Sequence, residues 1–212
     1  MSEYHNPSLE RIAKIFSVFA GIGGAVHGIG EVLQGNVATG GIFINSWASG
    51  PIALYMGGEP GLTIVPNFLV TGLLAIIISS ALMIWGLRYT DRYGSGRVIL
   101  SLSTLMLLFG GGVGPPVVGL LAGLAGSRTG SSLGWWGRRP MGVLNLLAGL
   151  WKPVWWITLG NGLLLFVGGS ILPFLRFNNP DLFTMSFLLS IPLLLAAYVT
   201  GISYDLSRRS RH

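Results

Sequence analysis

Apolar residues in this chain come in long unbroken blocks. They show neither the alternation of a half-buried strand nor the single apolar stripe of a soluble helix. A helix needs about 20 apolar residues to cross a bilayer. On that measure the blocks predict transmembrane helices at residues 9–33, 64–87, 153–175 and 182–204. The first is entered through Asn6-Pro7-Ser8 with Glu10 in its first turn, a helix-start pattern. It is too long for a signal-peptide core and has no clear small-residue cleavage site, so it reads as a retained helix. Pro66 opens the second helix; Asn179 caps the last and Pro180 begins it.

The block between Val98 and Gly126 is broken at Gly110-Gly111-Gly112-Val113-Gly114-Pro115-Pro116, which an uninterrupted helix tolerates badly. It is either one kinked crossing or a hairpin with arms at 98–112 and 115–126. Charge separates the two. A single crossing splits the 13 Lys and Arg residues six against seven between the two sides. A hairpin leaves Arg176 alone on one side and gathers the other twelve on the side of the N-terminus. The positive-inside rule selects the hairpin. Its arms are too short to span a core of roughly 30 Å, so the glycine turn lies below the outer surface. At that depth, irregular backbone persists only where protein or a wet cavity satisfies its amides.

The expected architecture is therefore a single all-α membrane domain of four full helices plus the broken hairpin, five to six membrane segments in all. Residues 34–63 form an outer loop and residues 127–152 a cytoplasmic one. Met141–Trp151 is a short interfacial helix within the cytoplasmic loop, and Trp135, Trp136, Trp155 and Trp156 act as headgroup-level anchors. Both termini are expected in the cytoplasm.

Composition agrees. Hydrophobic residues make up 51% of the 212 and charged residues only 9%, against roughly 25% in a soluble domain. The partner of so much apolar surface is the lipid bilayer. The net charge of +6 lies in short clusters between apolar blocks, where it orients a membrane protein, and is not read as nucleic-acid binding. With no cysteine, neither disulfides nor thiolate chemistry are available.

Candidate chemistry is sparse. Beyond Glu10 in the first turn, Glu31 is the one acid inside an apolar block and His27 the one histidine there. Four residues apart, they share a helix face. Ionisable groups at membrane depth are costly and usually face a bundle interior or cavity. The bland alternative puts Glu31 at the outer interface and leaves His27 a simple hydrogen bond to a neighbouring helix. Two ligands are too few for a metal site, and none is expected. Gln34 and Asn36 follow Glu31, Glu59 belongs to the loop above, Asn67 opens the second helix and Asn161 lies near the midplane of its own. The amides of Gly110, Gly111, Gly112 and Gly114 form a candidate nest for an anionic or carbonyl group; close helix packing is the alternative for these glycines. Gly119-x3-Gly123 and Gly21-x6-Gly28 predict close helix contacts, within a protomer or between protomers. No Walker loop, Rossmann glycine set, Ser/His/Asp constellation or paired intramembrane carboxylate is visible, and no cofactor is indicated.

Three segments resemble those of small prokaryotic multi-pass membrane proteins: His27-Gly28-Ile29-Gly30-Glu31-Val32-Leu33-Gln34-Gly35-Asn36, Ile64-Val65-Pro66-Asn67-Phe68 and the Gly110–Pro116 run. The resemblance covers roughly the first 130 residues. It implies a prokaryotic cytoplasmic membrane location and no particular activity. His-x3-Glu on a membrane helix is also similar to the motif of sterol isomerases of the emopamil-binding class. That likeness implies proton transfer by His27 and Glu31 around an apolar ligand, but the chain lacks that class's further acidic helix residues. Three functional classes are thus open. One is a protein binding or transporting a cation, proton or small amphiphile in the outer half. The others are an accessory subunit of a homo-oligomer or larger membrane complex, and an intramembrane acid–base enzyme.

Overall fold

The computed structural model describes residues 4–55, 57–177 and 179–209. Helix α1 (Pro7–Gln34) leads to a capping segment of β1 (Phe43–Asn45), α2 (Gly50–Tyr55) and β2 (Pro60–Leu62). Helix α3 (Phe68–Arg88), the arms α4 (Ser95–Leu108) and α5 (Gly114–Gly126), and the short α6 (Gly134–Gly137) follow. One helical run then comprises α7 (Met141–Gly162), a π-helical turn (Leu163–Gly168), α8 (Gly169–Ile171) and a 3-10 turn (Leu172–Leu175). Helix α9 (Pro180–Arg209) closes the fold.

Among the described residues, four helical runs are long and apolar enough to cross a membrane: Pro7–Gln34, Phe68–Arg88, Met141–Leu175 and Pro180–Arg209. Their environments differ. In its most apolar stretch α1 is 61% buried, against 28–33% for the other three. Helix α1 is thus the central helix, and the others turn much of their apolar surface outward, to the bilayer for which a chain of this composition is suited.

Glycines set the distances around α1. A β-carbon on Gly28 would lie 2.7 Å from Gly72 O, and one on Gly72 would lie 2.6 Å from Gly28 O, so α1 and α3 meet backbone to backbone there. Added β-carbons at Gly21 would strike Met83, at Gly119 Ser103, and at Gly123 Leu100. Gly96 of α4 lies against Ser127 and Gly123 at the end of α5, so the two arms fold back on each other as a hairpin.

Several boundaries move from the sequence reading, each for a local reason. Helix α3 starts at Phe68, not 64, because the Asn67 side chain accepts from Val70 N and caps it. Arm α4 ends at Leu108, before the glycines, and α5 takes Pro115 and Pro116 in its first turn, where proline needs no amide partner. The 127–152 segment is not loop throughout. Helix α7 begins at Met141 and runs through Pro153 without a break, so 141–151 is not a separate interfacial helix. Next to the proline, Trp151 is buried and packs against Trp155 one turn on and against Tyr204 of α9. Helix α9 extends past 204 to Arg209, since Asp205 and Arg209 both have partners across the bundle. The cap at Asn179 is present: its Oδ1 accepts from Leu182 N.

At the end of the bundle that holds the start of α1, buried Asp205 accepts from the amides of Ser8 and Leu9 at 3.1–3.4 Å. A carboxylate there satisfies free helix amides and complements the positive end of the dipole. Buried Asn6 donates to Arg128 O and Ser131 O and accepts from Arg209 Nη2 at 2.6 Å. The opposite end holds the close of α1, the glycine turn, the capping segment and the start of α9.

Candidate functional site

The segment between α1 and α3 is an ordered cap. Strands β1 and β2 pair antiparallel, Phe43 opposite Leu62 and Asn45 opposite Pro60. Gln34, at the end of α1, donates its side-chain amide to Asn45 O and Ser46 O. Past β2 the chain is sewn to the glycine turn: Ile64 N donates to Leu108 O and Gly110 N to Leu62 O. The buried hydroxyls of Thr63 and Thr71 lie 2.6 Å apart. Cap, glycine turn and the tops of α1 and α3 therefore form one hydrogen-bonded unit.

Within it the turn lies directly on the two ionisable residues of α1. Gly110 and Gly112 have φ of +85° and +80°, which a residue with a side chain rarely adopts. A β-carbon at Gly110 would fall 2.3 Å from Glu31 Oε2, and one at Gly112 would fall 2.1 Å from His27 Nε2. Glu31 is fully buried; its Oε1 accepts from Ser46 Oγ at 2.9 Å. Its Oε2 has no hydrogen-bond partner among the described residues.

His27 faces a residue that sequence reasoning put only in the loop above. Its Nδ1 is 3.1 Å from Glu59 Oε2. The contact is close but poorly aligned, and neither atom makes a well-directed hydrogen bond among the described residues. Glu59 reaches this position through a strained backbone. It has φ of +48° and follows Gly57 and Gly58 at +64° and +78°, three left-handed residues that turn its side chain in beneath the cap. Ser46 N holds Glu59 O at 3.2 Å and Trp47 N holds Gly58 O at 3.1 Å. The Glu59 side chain is 17% exposed, and burial pushes its pKa up to about 7.

His27 and Glu59 lie on the wall of a cavity of about 580 Å³. That is within the range of small-molecule sites, roughly 300–1,000 Å³. Its remaining walls are mostly apolar and come from α1, α5, the π-helical turn and α9, including Val118, Leu165, Phe166 and Phe183. The π turn widens α7 where it faces the cavity, a frequent feature of functional sites. No Lys or Arg lines the cavity among the described residues.

The residues singled out from sequence divide into three groups. His27 and Gly114 line the cavity. Glu31, Gly110 and Gly112 form the packed layer beside it, turned toward Ser46 and the helix α1 face. The others hold the fold. Gln34 clamps the cap, and Asn67 caps α3 while donating to Asn36 Oδ1. Asn161 bonds Ser186 O and Ser190 Oγ, tying α7 to α9. The nest expected of the turn is partly spent, since Gly110 N serves Leu62 O and Gly111 N serves Met106 O. No group of three or more His, Asp or Glu side chains is arranged to hold a metal ion among the described residues. Glu59 was the residue that sequence reasoning underused; the Gly57-Gly58 pair before it is the local signal of an unusual turn. Comparisons with known protein families, characterised proteins and solved structures give no match to this chain.

The chemistry available is thus an imidazole beside a carboxyl that titrates near neutral pH, at the polar end of a largely apolar cavity. Such a pair holds a cation or a hydrogen-bonding head group, or exchanges a proton with a bound molecule.

Proposed function

We propose that this chain is a multi-pass membrane protein that binds a small amphiphile or cation in the cavity between α1, α5, the π turn and α9. His27 and Glu59 provide the polar end, and the glycine turn packs on His27 through Gly112. The single observation that carries the reading is the 3.1 Å approach of His27 to Glu59 on the wall of an otherwise mostly apolar cavity. Both groups are expensive to bury without a function that uses them.

In the membrane, α4 and α5 are short arms that enter and return on the cytoplasmic side, and both termini are cytoplasmic. Support comes from charge: Arg88, Arg92, Arg97, Arg128 and Arg209 share the end of the bundle where Asn6 lies, while Arg176 is at the cavity end. The likeness of three segments to those of small prokaryotic membrane proteins is what supports a prokaryotic cytoplasmic membrane as location.

Native mass spectrometry of gently extracted protein tests the binding reading, with wild type compared to His27→Ala and Glu59→Gln. A bound small-molecule mass on wild type that is lost in both variants is the expected result. Bare protein in all three samples, or a constant protein partner, overturns it in favour of an accessory subunit.

One observation also favours acid–base turnover: a carboxyl and an imidazole lie 3.1 Å apart on the cavity wall, with burial raising the pKa of Glu59 toward the range where general acid–base groups work best. That reading requires an isomerised or protonated product from a membrane-lipid extract, formed by wild type and not by Glu59→Gln.

A further inference from the structure

The cavity's apolar wall reaches the outside of the bundle at a definite place. Val113, Phe187 and Ile191 line it and are 45%, 51% and 48% exposed. Helix α9 begins at Pro180, so at about 1.5 Å per residue Phe187 and Ile191 lie roughly 10 and 16 Å along it. That is well inside a hydrocarbon core of about 30 Å. The Phe187 ring is the narrow point between the start of α5 and α9, since a β-carbon on Gly114 would come 3.2 Å from it. Toward water the cavity is roofed by the cap, with Leu54, Gly57 and Pro60 among its lining residues. A molecule dissolved in the bilayer thus meets an apolar opening at its own depth, with the polar pair further in beneath the roof.

The polar end also selects by charge. Its titratable groups among the described lining residues are His27 and Glu59. Glu31 is fully buried and bonded to Ser46, outside the cavity wall. With no Lys or Arg on the walls, an acidic head group would meet the Glu59 carboxyl and one imidazole. A cationic head group would meet the charge it needs.

Resting on the binding reading above, we propose that the ligand is a bilayer-dissolved amphiphile with a cationic, amine-type head, and that it reaches Glu59 sideways through the gap between α5 and α9. The apolar body lies along Val118, Phe166 and Phe183 while the head sits against the Glu59 carboxyl.

The test uses full-length protein in lipid nanodiscs and three probes of equal chain length: decyltrimethylammonium, decanol and decanoate. Binding is measured by native mass spectrometry. The ammonium probe is expected to bind at least tenfold more tightly than decanoate and to lose that advantage in Glu59→Gln. Because the chain has no cysteine, Gly114→Cys with Phe187→Cys, bridged by a short bis-thiosulfonate, closes the gap specifically. Closure should slow ammonium uptake from the bilayer at least tenfold with an unchanged melting temperature. Ile191→Trp, which narrows the same gap without cross-linking, should slow it too. Equal or tighter binding of decanoate overturns the cationic class. Unchanged uptake in both the bridged protein and Ile191→Trp overturns the lateral route alone. Failure of all three probes to bind wild type overturns the binding reading itself, and this inference with it.

Discussion

Gly112 lies so close over the imidazole of His27 that a β-carbon on it would stand 2.1 Å from Nε2. The contact joins the break in the short hairpin to the one histidine within a membrane-spanning helix. It explains why the turn needs glycine on two grounds, the left-handed backbone and the space.

Gly112→Ala should therefore destabilise the protein by about 2 kcal/mol or more, combining about 1–2 kcal/mol for left-handed backbone with displacement of His27. Gly110→Ala, whose β-carbon would meet the Glu31 carboxyl, should behave alike. Gly149→Ala is the control. It is a helical glycine with open space around it, and alanine there should be neutral or stabilising by up to about 1 kcal/mol. Thermal melting in detergent reads all three; equal effects at 112 and 149 would show that the turn does not press on His27.

Glu59 makes stability depend on pH. Its folded-state pKa of about 7 lies above the usual 4.5, so the folded state binds the proton more tightly than the unfolded state. The resulting stability is fully present below about pH 4.5 and is lost as pH rises through about 7. The loss is on the order of 3 kcal/mol as an upper bound, given the partial exposure of the side chain. His27 faces Glu59 directly and Glu31 lies one turn further along α1, so the informative quantity is the difference between variants. Melting curves from pH 5 to 8.5 should fall more steeply for wild type than for Glu59→Gln. Parallel curves would contradict burial of the carboxyl.

Asp205 anchors the start of α1 from the far end of the chain. Asp205→Ala removes the acceptor for Ser8 N and Leu9 N and should cost about 1–2 kcal/mol. Asp205→Asn keeps an acceptor oxygen and should recover part of that. If the asparagine variant were no better than the alanine in denaturation, the cap would not be the source of the stability.

Asn161 joins α7 to α9 through Ser186 and Ser190, and Asn161→Ala should lower stability by roughly 0.6–1.7 kcal/mol. Combining it with Ser186→Ala in a double-mutant cycle measures the coupling. Strict additivity of the two would mean that the bonds do no work between these helices.

Topology is open to thiol labelling in a chain without cysteine. A single cysteine at Ser132 should react only from the cytoplasmic side, and one at Ala38 only from the outside. Both positions are exposed. Labelling of position 132 from outside would replace the hairpin with a single crossing.

What the sequence determined by itself is what depends on transfer from water and on neighbours along the chain. Apolar blocks of bilayer length mark the four long helices, because length and hydropathy alone decide whether a helix is suited to span. The Gly110–Pro116 run marks a break, because glycine and proline lose helix hydrogen bonds and conformational freedom wherever they stand. Charge asymmetry pointed to the hairpin, and α4 and α5 do fold back on each other. His27 and Glu31 stood out because ionisable groups at that depth are rare.

Only the tertiary structure decided which groups meet. Glu59 lies 32 positions beyond His27, and its approach depends on the pairing of β1 with β2 and on three left-handed residues in succession. Glu31 turned to Ser46 and not to the cavity, although it shares a helix face with His27. Lys152-Pro153 read as a boundary, yet α7 passes through it, with Trp151 buried against Tyr204 of α9. Asp205 lies 197 residues from the helix it caps. Contacts of this kind are set by the geometry of a whole bundle closing around α1, and local pattern carries no record of which distant residue will fill a given space.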